Sequence, residues 1–177
     1  SLCLQVPEAA AQPHTLEVVP VEGTTGWQLA TGLEPVRIDK AGFGLYRAED
    51  YDTLVDCPVE MGPFWSGSFE VFGVPHRFVV AGAPPSFDGE QLLADTRAIC
   101  EAEMRFWHGS ELESYQKESA SRTKDARQSP IPFKNYVFML AAVHDGYGGL
   151  EHKNSTALIC NRKDLPRLPR TTLAPTT

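Results

Sequence analysis

The sequence predicts an α+β fold with three parts. A partial N-terminal β-sandwich spans 1–62. A mainly antiparallel sheet with one long helix spans 63–165, and a disordered tail spans 166–177. Three observations predict this. Apolar residues in the first part alternate in short runs cut by glycine turns, with no helical period before Glu49. One segment beginning at Asp88 has both a helical period and a start signal. The stretch before it alternates and the stretch at 134–143 is strongly apolar, as sheet strands are.

In the first part Leu2, Leu4 and Val6 alternate, and Leu16 and Val18 alternate after Pro13, with Val21 one step out of that period. Turns are marked by Glu22-Gly23, Thr31-Gly32 and Lys40-Ala41-Gly42. Short strands separated in this way suggest part of a sandwich. A hairpin is expected over 66–82. Phe69 and Val71 alternate, Gly73-Val74-Pro75 interrupts, and His76, Phe78 and Val80 resume the alternation. Ser66-Gly67-Ser68 is turn-like.

Asp88 is a good N-cap, and Gln91 stands at the capping-box spacing. Leu93, Cys100, Met104 and Trp107 fall on one face, with Leu92, Ile99 and Phe106 beside them. Gly109 suits the position just past a helix end, so a helix is expected over 89–108 with His108 in its last turn. Residues 110–132 are polar and suggest a long loop or a solvent-exposed helical excursion. A strongly apolar strand over 134–143 leads into a glycine-rich bend, and 155–160 forms another strand. The tail is proline- and threonine-rich, with little to pack.

A net charge of −7 argues against nucleic acid, because phosphate binding needs a basic face. No apolar stretch is long enough to span a bilayer. The first residues lack the basic start of a signal peptide. Cys3, Cys57, Cys100 and Cys160 form no Cys-x-x-Cys pair, and each sits among apolar neighbours as a buried free thiol would. A reducing, cytoplasmic location is expected on these grounds. The chain lacks an initiator Met and opens inside an expected strand, which suggests a piece of something longer.

The richest segment runs Gly146-Tyr147-Gly148-Gly149-Leu150-Glu151-His152-Lys153-Asn154-Ser155. Glycines so dense allow unusual backbone angles or the close approach of another chain, rather than packing. A strand enters this run and another leaves it, so an extended peptide could pair with its edge and Glu151 could hold a free ammonium. The same run also reads as a glycine turn between antiparallel strands with surface charges. His144 and His152 are near each other in sequence, but a metal site from them is disfavoured. His76 in its strand and His108 on the helix have structural explanations. No Gly-x-Ser-x-Gly elbow is present, and Cys100 belongs to the apolar helix face.

Gly-Gly-Leu-Glu-His-x-Asn-Ser after a strand resembles the signature of the glycyl aminopeptidase family. These are bacterial zinc metallopeptidases that often carry a PDZ domain. The run is also a cousin of the Gly-x-Met-Glu-Asn motif of larger zinc aminopeptidases. The run from Tyr51 through Leu54-Val55-Asp56 and Pro58-Val59-Glu60-Met61-Gly62 looks like that family's link into its catalytic domain. Phe72-Gly73-Val74-Pro75-His76 and Pro132-Phe133-Lys134-Asn135-Tyr136 follow in the family's order. The resemblance covers about 46–165, and the Gly-Gly-Leu-Glu-His run is its specific part.

The resemblance implies the N-terminal lobe of a thermolysin-like peptidase domain. It implies that Glu151 binds the substrate α-amino group, and that Gly148 and Gly149 offer backbone groups to the substrate. His152 and Asn154 would support the strand. The partner would be a peptide with a free N-terminus, small residues being favoured. The family's His-Glu-x-x-His zinc helix is absent from this sequence. No catalytic residue, metal ligand or cofactor is therefore expected in this chain, zinc is expected in a longer parent, and this chain alone is expected to be inactive. The alternative is a non-catalytic peptide-binding module, or one that self-associates through exposed strand edges. A carbohydrate-binding sandwich would need Trp27, Trp65 and Trp107 exposed together.

Overall fold

The structure is a computed structural model that describes residues 3–119 and 130–169. It is an α+β fold of multiple, mostly antiparallel sheets and one long helix. After a 3-10 turn at Pro7–Ala9 come β1 (His14–Val18), β2 (Gln28–Thr31), β3 (Glu34–Ile38) and β4 (Gly44–Ala48). A short helix α1 (Tyr51–Asp56) and β5 (Val59–Gly62) follow. Next are β6 (Phe64–Val71), β7 (Val74–Ala81), α2 (Gly89–Ser119), β8 (Tyr136–Val143), β9 (Gly148–Glu151) and β10 (Ser155–Asn161).

Three sheets result: β1-β4-β3, the pair β2-β5, and a five-stranded sheet in the order β6-β7-β8-β10-β9. Its central pairs, β7 with β8 and β8 with β10, are parallel, and its outer pairs are antiparallel. The helix α2 makes the crossover from β7 to β8, as a parallel connection requires. The strand β9 lies at the sheet edge.

Leu29, Leu33, Phe43, Tyr46, Ala48 and Cys57 build one core from the first part of the chain. On the face of the large sheet toward α2, Phe78, Val80, Leu140 and Ala142 pack with Leu92 and Leu93 of the helix. Ala30 of β2 packs on Phe64, Val79, Val137 and Met139, so the other face of the sheet is covered by the N-terminal strands.

Several expectations are corrected. Residues 3–6 form no strand. The alternation there has no neighbouring strand to bury against, and Leu4 is 93% exposed. The hairpin turn is Phe72-Gly73 alone, both with positive φ (50° and 79°), while Val74-Pro75 already belong to β7. A two-residue loop with positive φ at both positions matches the strand twist, and the Arg105 guanidinium lies over the Phe72 ring at 4.9 Å. Gly67 is not a turn residue but sits within β6. A Cβ there would come within 2.7 Å of Leu93 Cδ1, so its role is to let α2 approach the sheet.

Asp88 does cap α2, its carboxylate accepting from Gln91 N at 3.0 Å. The helix then continues through Gly109 to Ser119. The buried stripe runs Met104, then Leu112, and not Met104, then Trp107. Leu112 packs with Val71, Val74 and Ile131, which holds the helix on past the glycine. Trp107, Phe106 and Ile99 are exposed. His108 is therefore mid-helix, 3.9 Å from Glu111, and not at a C-terminus.

Of the long polar segment, 110–119 is helix and 120–129 lies outside the described residues. At the tail, Leu165 is buried, Asp88 N donates to Pro166 O, and Leu168 N donates to Ser86 O. Residues 166–168 are thus paired rather than frayed, and 170–177 lie outside the described residues. No helix among the described residues is long and apolar enough to cross a membrane.

Candidate functional site

The glycine-rich run becomes β9, a four-residue edge strand. Among the described residues it pairs only on its β10 side, with Glu151 opposite Thr156 and Gly148 opposite Ile159. The β8 and β10 strands behind it are anchored by apolar side chains in the core, so a rigid sheet carries a short, exposed edge. Glu151 ends β9 with its side chain exposed. Its charge acts on Tyr136, whose phenol is raised first by burial. The Tyr136 hydroxyl donates to Ser155 O at 3.1 Å and so braces the start of β10.

The glycines of β9 differ in their reasons. A Cβ on Gly149 would meet Leu158 Cδ2 at 2.8 Å, so this glycine does have a packing reason, contrary to expectation. A Cβ on Gly148 would meet nothing within 4 Å. Space therefore lies open over Gly148.

His152 and Asn154 turn away from the edge toward the first part of the chain. His152 Nδ1 lies 3.1 Å from Asp56 Oδ1, and Asp56 Oδ2 accepts from Lys153 N at 2.9 Å. That backbone N–H, followed by the His152 ring, holds the Asp56 carboxyl below its usual range against a partial desolvation. Asn154 Nδ2 donates to Gly32 O at 2.8 Å and to Asn135 Oδ1 at 3.2 Å. Cys57 Sγ is 3.6 Å from Asn154 Oδ1. A Cβ on Gly32 would strike the Asn154 amide. The turn between β9 and β10 is thereby tied to α1, to the β2-β3 turn and to the start of β8.

The family resemblance marks the run at 51–62, but nothing in its spacing marks Asp56 as the partner of residue 152. Gly32 and Asn135 carry no such signal either. These partners are distant in sequence, and only the packing of the two parts brings them together. His144 is exposed and is not part of this group. Among the described residues no group of three or more His, Cys, Asp and Glu could hold a metal ion. The described residues therefore offer no ligand set for zinc.

Among the described residues no disulfide forms, and Cys57 is buried while Cys3, Cys100 and Cys160 are intermediate. Burial pushes the Cys57 and Cys100 thiols up to about 11, which suits inert structural thiols and not nucleophiles. Trp65 packs under α2 against Phe87, while Trp107 lies exposed on the helix, so the tryptophans do not share one face.

Two comparisons with known proteins bear on the fold and family. Residues 1–63 match the family model of the peptidase M61 N-terminal domain. A crystal structure of an aminopeptidase N family protein from Idiomarina loihiensis is 31% identical with a TM-score of 0.76. The match covers 98% of this chain and 26% of that one. Both likenesses support a peptidase M61-like family. No curated protein matches the chain. The chain spans about a quarter of the length of the solved relative, and its β9 edge belongs to the part beyond the matched family model.

Proposed function

We propose that this chain is the amine-binding portion of a metallo-aminopeptidase of the glycyl aminopeptidase type, which removes N-terminal residues, small ones preferred, from peptides. The observation that carries this is the free edge of β9, with open space over Gly148 and an exposed carboxylate, Glu151, at its end. A peptide laid antiparallel to β9 with its first residue opposite Glu151 runs past Gly149 and then Gly148. Main-chain hydrogen bonds hold its backbone, and Glu151 holds its ammonium by a charge-assisted hydrogen bond. Fixing the amine end sets the distance to the scissile bond, which is positional catalysis.

His152 and Asn154 support the strand by their ties to the first part of the chain. The zinc of the resembled family has no ligand set among the described residues and no His-Glu-x-x-His run in the sequence, so on this reading other residues hold it, and this chain alone is expected not to hydrolyse peptides. Cysteines that form no disulfide among the described residues suit a reducing, cytoplasmic setting.

The test is a titration of the 177-residue chain with glycyl peptides, free or N-acetylated, followed by amide NMR shifts at Gly148 and Gly149. The free amine is expected to bind more tightly by about tenfold or more, the scale of one charge-assisted hydrogen bond. Glu151→Gln is expected to remove that preference without altering the fold. Equal binding of both peptides, or no change with Glu151→Gln, would overturn the reading.

A further inference from the structure

We infer that Asp56, at the end of α1, is a positioning residue for Glu151, through the clamp it forms on His152 and Lys153. This rests on the reading of Glu151 as the amine-binding carboxylate. Asp56 stands 96 positions from His152 in sequence, yet both of its oxygens are committed to the turn that follows Glu151. One oxygen meets the His152 ring at 3.1 Å and the other accepts the Lys153 backbone N–H at 2.9 Å.

The His152 side chain is 12% exposed, so the ring has little room for another arrangement. His152 N donates to Ser155 O at 2.9 Å, closing the turn on itself. Asn154, the next residue but one, is held by Gly32 and Asn135. Every residue from 152 to 154 is therefore fixed from outside β9, and Glu151 is the residue immediately before them.

Asp56 is itself well placed to act as a fixed point. The Asp50 carboxylate caps α1 by accepting from Thr53 N at 2.7 Å, and Leu54 of α1 and Cys57 just beyond it pack in the N-terminal core. A backbone N–H bonded to a carboxylate fixes position more tightly than one bonded to water, because the charge-assisted bond is short and strong. The position of the amine-binding carboxylate is thus set by the first part of the chain, and not by the sheet edge alone.

The test compares the ratio of affinities for free and N-acetylated glycyl peptides in the 177-residue chain and its variants. Asp56→Asn keeps the size of the side chain but cannot accept from both partners. It is expected to lower the ratio about tenfold with a dispersed, native-like amide spectrum, and Asp56→Glu is expected to restore part of it. An unchanged ratio in Asp56→Asn would overturn the inference, as would equal weakening of both peptides, the result of plain destabilisation.

If Asp56→Asn folds poorly, His152→Gln provides the same reading, since it releases one carboxylate oxygen and leaves the Lys153 N–H bonded. A smaller drop in the ratio is expected, and no drop counts against the clamp. Glu151→Gln separates the two ideas. If it leaves the ratio unchanged, or if the chain does not distinguish the peptides, amine binding itself fails. If it abolishes the ratio while the Asp56 variants keep it, only the positioning role fails.

Discussion

His76 is among the largest fully buried side chains, 2% exposed in the interior of β7. Its Nδ1 is 2.8 Å from Val74 O, and its ring stacks on Phe69 at 5.0 Å with Phe138 and Tyr136 nearby. Burial among aromatic rings lowers its pKa below the ordinary 6.5, because the charged form loses its hydration. The direction of the pH effect comes from that shift. Above about 6.5 the ring is neutral in both folded and unfolded chains, and its contribution to stability is complete. As pH falls below that value the unfolded chain takes up a proton that the folded chain resists, so stability declines. The urea midpoint is expected to fall between about pH 7 and about pH 5, and His76→Phe should flatten that decline. A decline of the same size in His76→Phe would show that another group is responsible. Ser155 Oγ is also fully buried and meets no hydrogen-bond partner among the described residues, so its hydroxyl costs β10 stability through lost hydration.

At the scale of elements, α2 shows how packing sets the length of a helix. A glycine within a helix costs about 1 kcal/mol relative to alanine, which is why Gly109 reads as an end. Burial of one Leu side chain beyond it contributes about 1.5–3 kcal/mol, and Leu112 is 3% exposed among Val71, Val74, Met104 and Ile131. Burial of Leu112 outweighs the cost of Gly109, and the helix continues. Leu112→Ala should therefore cost about 2–5 kcal/mol in urea unfolding. Trp107→Ala, at 71% exposure, should change stability by no more than about 0.5 kcal/mol. If the two costs were reversed, the assignment of the buried face would be wrong. The hairpin is the opposite case. Its strand alternation and the Phe72-Gly73 turn agree locally, so β6 and β7 lie close to where the pattern puts them.

At the scale of the molecule, the large sheet is covered on one face by α2 and on the other by the N-terminal strands, and β9 is an open edge. Beside that edge Tyr147 is 98% exposed, Leu150 62% and Ile159 45%. An exposed edge flanked by apolar side chains is a template for pairing with another strand. We expect the isolated chain to form weak dimers at high concentration in sedimentation velocity. A free-amine glycyl peptide that occupies β9 should dissociate them. Dimers that persist unchanged in saturating peptide would mean that they form elsewhere.

What the sequence determined by itself was local. Alternation located the hairpin, a strongly apolar run located β8, the N-cap at Asp88 located the start of α2, and the density of glycines around Glu151 located the candidate strand. These features depend on a few neighbouring residues, whose periodicity and turn chemistry are written in order along the chain. The six-residue α1 is too short to carry a readable period, so no pattern announces it. The end of α2, the different reasons for Gly148 and Gly149, and the clamp from Asp56 to residues 152 and 153 were decided by tertiary structure alone. Each depends on a contact between residues far apart in sequence. No local pattern encodes such a contact, because it exists only once two surfaces have buried each other.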